Sequence, residues 1–466
     1  MDLSHNEEDY SLSLSKFESM LKTNKVLFFD SEEFEDIILH YMDIGKPSLA
    51  KKALKLGLEQ HPKSFGLKLV QVEMLLFEDK IEQAEKLLND LYAIEPTNEE
   101  IFIQKANICS KRDDHKQAVE FLKTALQYTD DYADVHNLLG MEYLFMDELE
   151  LAKTHFIACL EEEPEEQSGL YNVIYCFEFL EQYQEAISFL QNYIDTNPYS
   201  EIAWHQLGRL NFTIKQYQEA YIAFDYATLI DDQFMGAYME KAKALERLER
   251  YEEAIWNYQE TIRLEDPTSY ALLRIGKCFE KMGNDSEALN YYNKTVHEDP
   301  LLDKGWIAIT DFYMRQENFQ KALYYVNKAL GIDAENPLYW KRYASINKEL
   351  ALFEEAEEGY RKAIELGDTE LETILFWADT QLFIGEYEAS VETLIKANVL
   401  FLDHYQIEYR LAGLYYSLDN PTKGLYHLTN ALHHNFKMKS ILQELFPAVF
   451  DMKAIQKIIN KFNELQ

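Results

Sequence analysis

The sequence predicts an all-α solenoid in which one helix-turn-helix unit is used about twelve times, and three observations predict it. Ala50, Ala84, Ala118, Ala152, Ala186, Ala220, Ala254, Ala288, Ala322 and Ala356 stand 34 residues apart, and Ser390 and Gly424 continue the series. A small side chain at one fixed period marks the same close helix contact rebuilt in every unit. Four residues after each small position comes a large one, as in Leu54, Leu122, Phe156, Phe224, Tyr258, Tyr292 and Leu428, one turn further along the same helix face. Twelve residues before each small position the chain is mostly small again, as at Ala106, Gly140, Gly208, Ala242, Gly276 and Ala344, where a first helix would cross its partner.

The elements follow in order. Residues 1–10 are polar and acidic and read as a frayed tail. Leu14, Phe17 and Leu21 share a helical face, and the apolar run from Val26 to Phe29 leads into Asp30, which with Glu33 has the spacing of a capping box. Residues 1–30 are thus expected to cover the first repeat. The 34-residue register then holds from Ser31 to Met438 without an insertion or deletion, which gives twelve units over 31–438. Pro62, Pro96, Pro164, Pro198 and Pro300 stop second helices and set the turn into the next unit. The acidic run from Glu161 to Glu166 around Pro164 reads as a solvated turn. Over 439–466, Ile441, Leu445, Ile455, Ile458, Ile459 and Phe462 mark short amphipathic helices broken near Pro447, with Lys453, Lys457 and Lys461 free to face water. This segment is expected to close the far end. Composition agrees, since 47% apolar residues with only 16 Gly and 10 Pro fit helices joined by short turns.

These features resemble the tetratricopeptide repeat family in its bacterial, all-repeat form. The fullest copies of the family skeleton are Trp204, Leu207, Gly208, Ala220, Phe224, Ala227 and Leu139, Gly140, Tyr143, Ala152, Phe156, Pro164. The resemblance implies a right-handed superhelix whose first helices line an inner face. It also implies a non-catalytic scaffold or adaptor that holds a partner segment there, mainly through positions 2, 5, 6, 9, 12 and 13 of each unit.

Applied to repeats six to ten, those positions give Arg209, Lys243, Arg247, Arg274, Lys277, Lys281, Lys304, Arg315, Lys341, Arg342 and Lys348, against Glu240, Glu246, Glu280, Asp311 and Glu349. The expected centre is basic, opposite in sign to the formal net charge of −37. On either side the same positions are apolar, with Phe77, Met141, Phe145, Tyr171, Tyr175 and Phe179 before the basic stretch and Phe383, Tyr409 and Tyr416 after it. The partner these residues would suit is a protein or peptide segment with acidic and apolar side chains. Two readings of the cations stand at this stage: contact with a partner, or pairing with the carboxylates of neighbouring helices. A repeat protein that controls a signalling enzyme through peptide binding is the alternative function. Exposed aromatic patches would also suit a homo-oligomer.

Other classes find less support. The net charge repels nucleic acid and anionic membranes. Cys109, Cys159, Cys176 and Cys278 lie in different repeats without zinc-ligand spacing, and His427, His433 and His434 have no carboxylate or thiol at ligand spacing, so no metal or other cofactor is expected. No phosphate-binding glycine loop or nucleophile elbow occurs, and an enzyme is not expected. The family's chaperone-tail clamp is broken, because Lys341 is followed by Ser345, Phe376 and Gln406 at the clamp positions before Arg410. No signal-peptide pattern opens the sequence and no apolar run is long enough to cross a bilayer, which makes the cytoplasm the expected location.

Overall fold

A computed structural model describes residues 13–22, 27–164, 167–264 and 268–463, and every regular element among them is helical. The acidic residues 1–10, Val26, and Glu165 and Glu166 of the acidic turn lie outside the described residues. The chain divides into two compact units, Met1–Asp231 and Asp232–Gln466.

The first unit opens with a helix over 13–22 and continues as six helix pairs. Their first helices are Ser31–Asp43, Phe65–Phe77, Glu99–Ser110, Tyr132–Phe145, Gln167–Phe179 and Glu201–Thr213. Their second helices are Pro47–Gln60, Ile81–Tyr92, His115–Ala125, Leu149–Glu162, Tyr183–Thr196 and Tyr217–Ile230. The second unit repeats the pattern, with first helices Met235–Arg247, Ser269–Lys281, Asp303–Arg315, Pro337–Glu349, Leu371–Phe383 and Tyr405–Ser417. The matching second helices are Tyr251–Leu264, Asp285–Glu298, Phe319–Leu330, Phe353–Glu365, Tyr387–Leu400 and Pro421–Asn435. It ends with Ser440–Leu445, Pro447–Phe450 and Lys453–Asn463.

One backbone device sets every helix pair. The fifteenth residue of each unit has positive φ, at Gly45, Asp79, Asp113, Asp147, Glu181, Lys215, Glu249, Gly283, Glu317, Ala351, Gly385 and Asp419. The residue after it donates its N–H back across the turn to the eleventh carbonyl, as in Lys46 to Tyr41 at 2.8 Å, Asp114 to Cys109 at 2.9 Å and Leu352 to Asn347 at 2.8 Å. This left-handed cap satisfies carbonyls that the helix end would orphan and reverses the chain at a fixed angle. Nine of the twelve positions are not glycine, so the sequence does not announce the turn.

Within a pair, side-chain volumes are complementary. The periodic alanines from Ala50 to Ala356 have no exposed surface. A Cβ at Gly140, Gly208 or Gly276 would come within 2.6 Å of the ring of Phe156, Phe224 or Tyr292, the large residue on the facing second helix. The eighth residue of a unit is therefore small where the twenty-fourth is aromatic, and both belong to one contact. The two departures from alanine have their own reasons. Ser390 donates its hydroxyl to the Ala378 carbonyl at 2.8 Å, and a Cβ on Gly424 would meet the Tyr416 ring at 2.6 Å. Trp204, Trp306 and Trp340 each donate the indole N–H to a carbonyl six residues back, at 3.0, 2.9 and 2.8 Å, which pins a first helix to the turn before it.

The ends are apolar. Phe17 and Met20 of the opening helix are buried with Phe29, Phe34 and Tyr41 of the first repeat, and the Asp30 N–H donates to Glu33 at 2.9 Å. At the other end Leu442, Phe446, Val449, Ile455 and Ile459 are buried against the last repeat, while Lys453, Lys457 and Lys461 are exposed.

Candidate partner-binding face

In the second unit the first helices carry arginines that reach back one repeat. Arg274 Nε donates to Glu246 at 2.9 Å and its second arm takes the other carboxylate oxygen. Glu246 also accepts from the Tyr258 hydroxyl of its own repeat. Arg342 holds Asp311 at 2.6 and 3.0 Å, and Arg410 holds Asp379 at 2.7 Å through both arms. Repeats eight, ten and twelve thus use the same helix position for a forked, charge-assisted tie to the repeat before. Arg315 pairs with Glu280 at 3.0 Å, which in turn accepts from Tyr292. Burial disfavours charge on the Arg274 guanidinium, yet the hydrogen bonds to Glu246 outweigh that and raise its pKa. Burial and Glu246 push the Tyr258 phenol up, so it stays a donor.

Other sequence-predicted cations are also engaged. Lys243 pairs with Glu240 on its own helix at 2.7 Å and lies 5.6 Å from the centre of the Tyr270 ring. Lys341 pairs with Glu370. Lys348 sits 4.5 Å over the Phe376 ring. Arg209, which belongs to the first unit, contacts Glu178 at 3.4 Å and Gln206 at 2.6 Å. Arg247 is exposed.

Lys277, Lys281 and Lys304 differ. All three are exposed, and among the described residues none forms an ion pair. The Lys277 ammonium is held below its ordinary pKa by desolvation and by the positive charges of Arg274 and Lys304. The structure therefore places Lys277 near Arg274 and Lys304, while the acids beside it, Glu246 and Glu280, already serve an arginine and a tyrosine each.

The apolar candidates divide. Phe77, Phe145 and Phe179 are 62, 61 and 63% exposed, and Tyr171, Tyr175 and Phe383 are also exposed. Met141 is partly buried against the apolar cluster of its unit, and Tyr416 is partly buried in the notch left by Gly424. Tyr409 is corrected. It has no exposed surface: its hydroxyl donates to the Asn435 carbonyl at the end of its own repeat's second helix at 2.9 Å, and its ring belongs to the apolar cluster that also holds Ile441, Leu442 and Phe446 of the closing segment.

Sequence reasoning passed over a set of acids in the first unit. Glu35, Asp36, Glu73, Glu100 and Asp134 lie on the first helices of repeats one to four, and each carboxyl is raised from its ordinary pKa, chiefly by burial. Glu73 is pushed up to about 7, with Glu100 adding repulsion. The signal was available as register, since Glu100 and Asp134 stand at position 2, Glu35 at 5, Asp36 at 6 and Glu73 at 9, all within the set that yielded the cations and the aromatics.

No site for metal or thiol chemistry forms among the described residues. No three His, Cys, Asp or Glu side chains converge on a metal geometry, and His427 is taken by Glu408 at 2.8 Å under the Tyr415 ring. The four cysteines are free, and burial pushes Cys176 and Cys278 up to about 11 and about 12, where a thiolate does not form near neutrality. No described helix is long and apolar enough to cross a membrane.

Comparison with known proteins agrees with this architecture. Family models described as tetratricopeptide repeat match residues 75–142, 133–166 and 270–301. No curated protein matches the chain. Among solved structures, the C-terminal part of a TPR repeat-containing protein from Cytophaga hutchinsonii is 17% identical over 51% of this chain and 98% of that one, with a TM-score of 0.45. The Cut9–Hcn1 hetero-tetramer of the APC/C is 12% identical over 95% of this chain and 94% of that one, with a TM-score of 0.35. YrrB, described as a TPR protein with an unusual peptide-binding site, is 16% identical over 40% of this chain and 95% of that one, with a TM-score of 0.32. With its 34-residue period, its left-handed turn in every helix pair and the three family matches, the chain has tetratricopeptide repeat architecture.

Proposed function

We propose that the protein is a non-catalytic interaction scaffold, and that the first-helix face of the second unit binds an acidic, partly apolar segment of a partner protein. The observation that supports this reading is the exposed Lys277 ammonium, which has no ion pair of its own among the described residues because its acidic neighbours Glu246 and Glu280 are held by Arg274 and Arg315. A carboxylate from a partner would give this ammonium the ion pair it lacks and gain charge-assisted hydrogen bonds. The paired arginines contribute differently, by holding the face in shape. Exposed Phe383, stacked on Phe353 at 5.4 Å, offers an apolar contact on the same unit.

The test is fluorescence anisotropy of a labelled Glu-Leu peptide with the full-length protein and a Lys277→Glu, Lys304→Glu variant. These two positions are chosen because Arg274→Glu would also strand Glu246 and Tyr258. The variant is expected to bind at least about tenfold more weakly, as removal of clustered interface charges does. Equal affinity for the two proteins would remove this face as the site.

A further inference from the structure

Repeats two, four and five leave rings uncovered at the register where repeats seven, eight and nine carry Arg247, Lys281 and Arg315. Phe77, Phe145 and Phe179 end their first helices there, each more than half exposed. Tyr175 lies against Phe179 with ring centres 4.5 Å apart, and His115 stacks behind Phe145 at 5.1 Å. Rings braced in this way lose little freedom on contact.

The charge around the rings selects the occupant. Glu73 and Glu100 share the buried Gln104 amide, at 3.4 and 2.7 Å, and among the described residues neither pairs with a cation. Asp134 follows at the Glu100 position one repeat later. At the register of the rings, repeats two to five hold one cation, Lys111 of repeat three, and Arg209 of the following repeat is tied to Glu178. Burial and like charge raise the carboxyl of Glu73, so an incoming cation meets a site that gains from it.

We propose that the first-helix face of repeats two to five is a second docking surface, selective for a segment that carries Lys or Arg beside large apolar side chains. The cationic heads pair with Glu73, Glu100 and Asp134 and lie over the rings of Tyr175 and Phe179, and the apolar side chains cover Phe145 and Phe179. The inference rests on the reading that first-helix faces bind partners, and it assigns the two units opposite charge preferences.

The experiment uses full-length protein and three labelled peptides of equal length, Lys-Leu, Lys-Gly and Glu-Leu. The Lys-Leu peptide is expected to bind wild type, to weaken about tenfold or more with Phe145→Ala, Phe179→Ala and with Glu73→Gln, Glu100→Gln, and to stay within about twofold with Lys277→Glu, Lys304→Glu. Binding of Lys-Gly as tight as that of Lys-Leu, or affinity for Lys-Leu indifferent to the phenylalanines, would overturn the proposal, because general acidity then accounts for the attraction. Absence of Lys-Leu binding overturns it too. The Glu-Leu arm reads the second unit separately: its indifference to Lys277→Glu, Lys304→Glu sinks that site and leaves the Lys-Leu result standing.

Discussion

The two units join their repeats by different chemistry on one backbone pattern. In the first unit the sixth residue of a repeat is Asp36, Val70, Gln104, Leu138, Asn172 or Gln206, none of them a cation, and an apolar cluster runs from Phe102 to Ala223. In the second unit the same position is Arg274, Arg342 or Arg410 in alternate repeats, and each reaches an acid of the repeat before it. Apolar contacts are tolerant of register, whereas a forked guanidinium fits one carboxylate in one place. The difference also decides the surfaces. Away from the first unit's one such contact, Arg209 with Glu178, carboxylates such as Glu73 and Glu100 stay without an ion pair among the described residues and rings stand open; where the forked ties are present, acids are consumed and spare lysines remain.

The sharpest way to break this comparison is to cut one tie. Arg410 and Asp379 are both buried, so Arg410→Met leaves Asp379 charged or protonated in an apolar setting and is expected to cost about 3–5 kcal/mol. Arg410→Met with Asp379→Leu is expected to recover most of that, because two apolar residues need no partner. Amide exchange in Leu371–Phe383 and Tyr405–Ser417 of the full-length protein reads the effect locally, which matters in an array that unfolds in parts. A loss below about 1 kcal/mol would make the pair no stronger than a surface bridge and would dissolve the distinction between the units.

Sequence reasoning reached the helix pairs because their contact is written in residue size. Ala220 with Phe224, or Gly276 with Tyr292, can be recognised without coordinates, since volume must be conserved where two helices touch. It did not reach the partners of the charges. Arg274 and Glu246 were placed on one face, but the same register also allowed Glu280, and only the geometry shows that Glu280 faces Arg315. The acid face was passed over for another reason. After the acidic stretch at 32–36, its carboxylates come one to a helix, at Glu73, Glu100 and Asp134, a whole repeat or nearly so apart, so they do not read as one face along the chain. Tyr409 failed because position alone cannot show that its hydroxyl finds the Asn435 carbonyl and its ring joins the cluster shared with the closing helices.

Glu73 sharpens the comparison from the other unit, with a smaller effect. Its folded pKa of about 7 lies above the ordinary value of 4.5, so the charged form is disfavoured by the fold. The sign follows from linkage: its favourable contribution is complete below about pH 4.5 and is lost as pH rises through about 7. Glu73→Gln is therefore expected to stabilise the first unit by roughly 1–2 kcal/mol at pH 8, after allowance for partial exposure, and to change little at pH 4. Amide exchange in Phe65–Phe77 and Glu99–Ser110 at the two pH values is the measurement. Equal effects at both would mean that Glu73 is neutralised by another route, and the case for a basic partner would lose its electrostatic support.

The turn supplies the control for all of this, because it is the one device that the units share in full. Gly45 in the first unit and Gly283 in the second have φ of 67° and 75°, and a Cβ at either would meet nothing within 4 Å. Alanine at these positions is therefore strained by backbone conformation alone, at about 1 kcal/mol, and no packing term differs between the sites. The converse change is open at Ala351, which already bears this strain at φ 59°, so Ala351→Gly is expected to stabilise by about 0.5–1 kcal/mol once the added freedom of the unfolded chain is allowed for. Gly45→Ala and Gly283→Ala should lower local stability equally, within about 0.5 kcal/mol, by amide exchange across each turn. A larger gap would show that the units differ in backbone as well as in side-chain chemistry. The contrast drawn from Arg410 and Glu73 would then have to be measured against that difference before any of it is credited to charge.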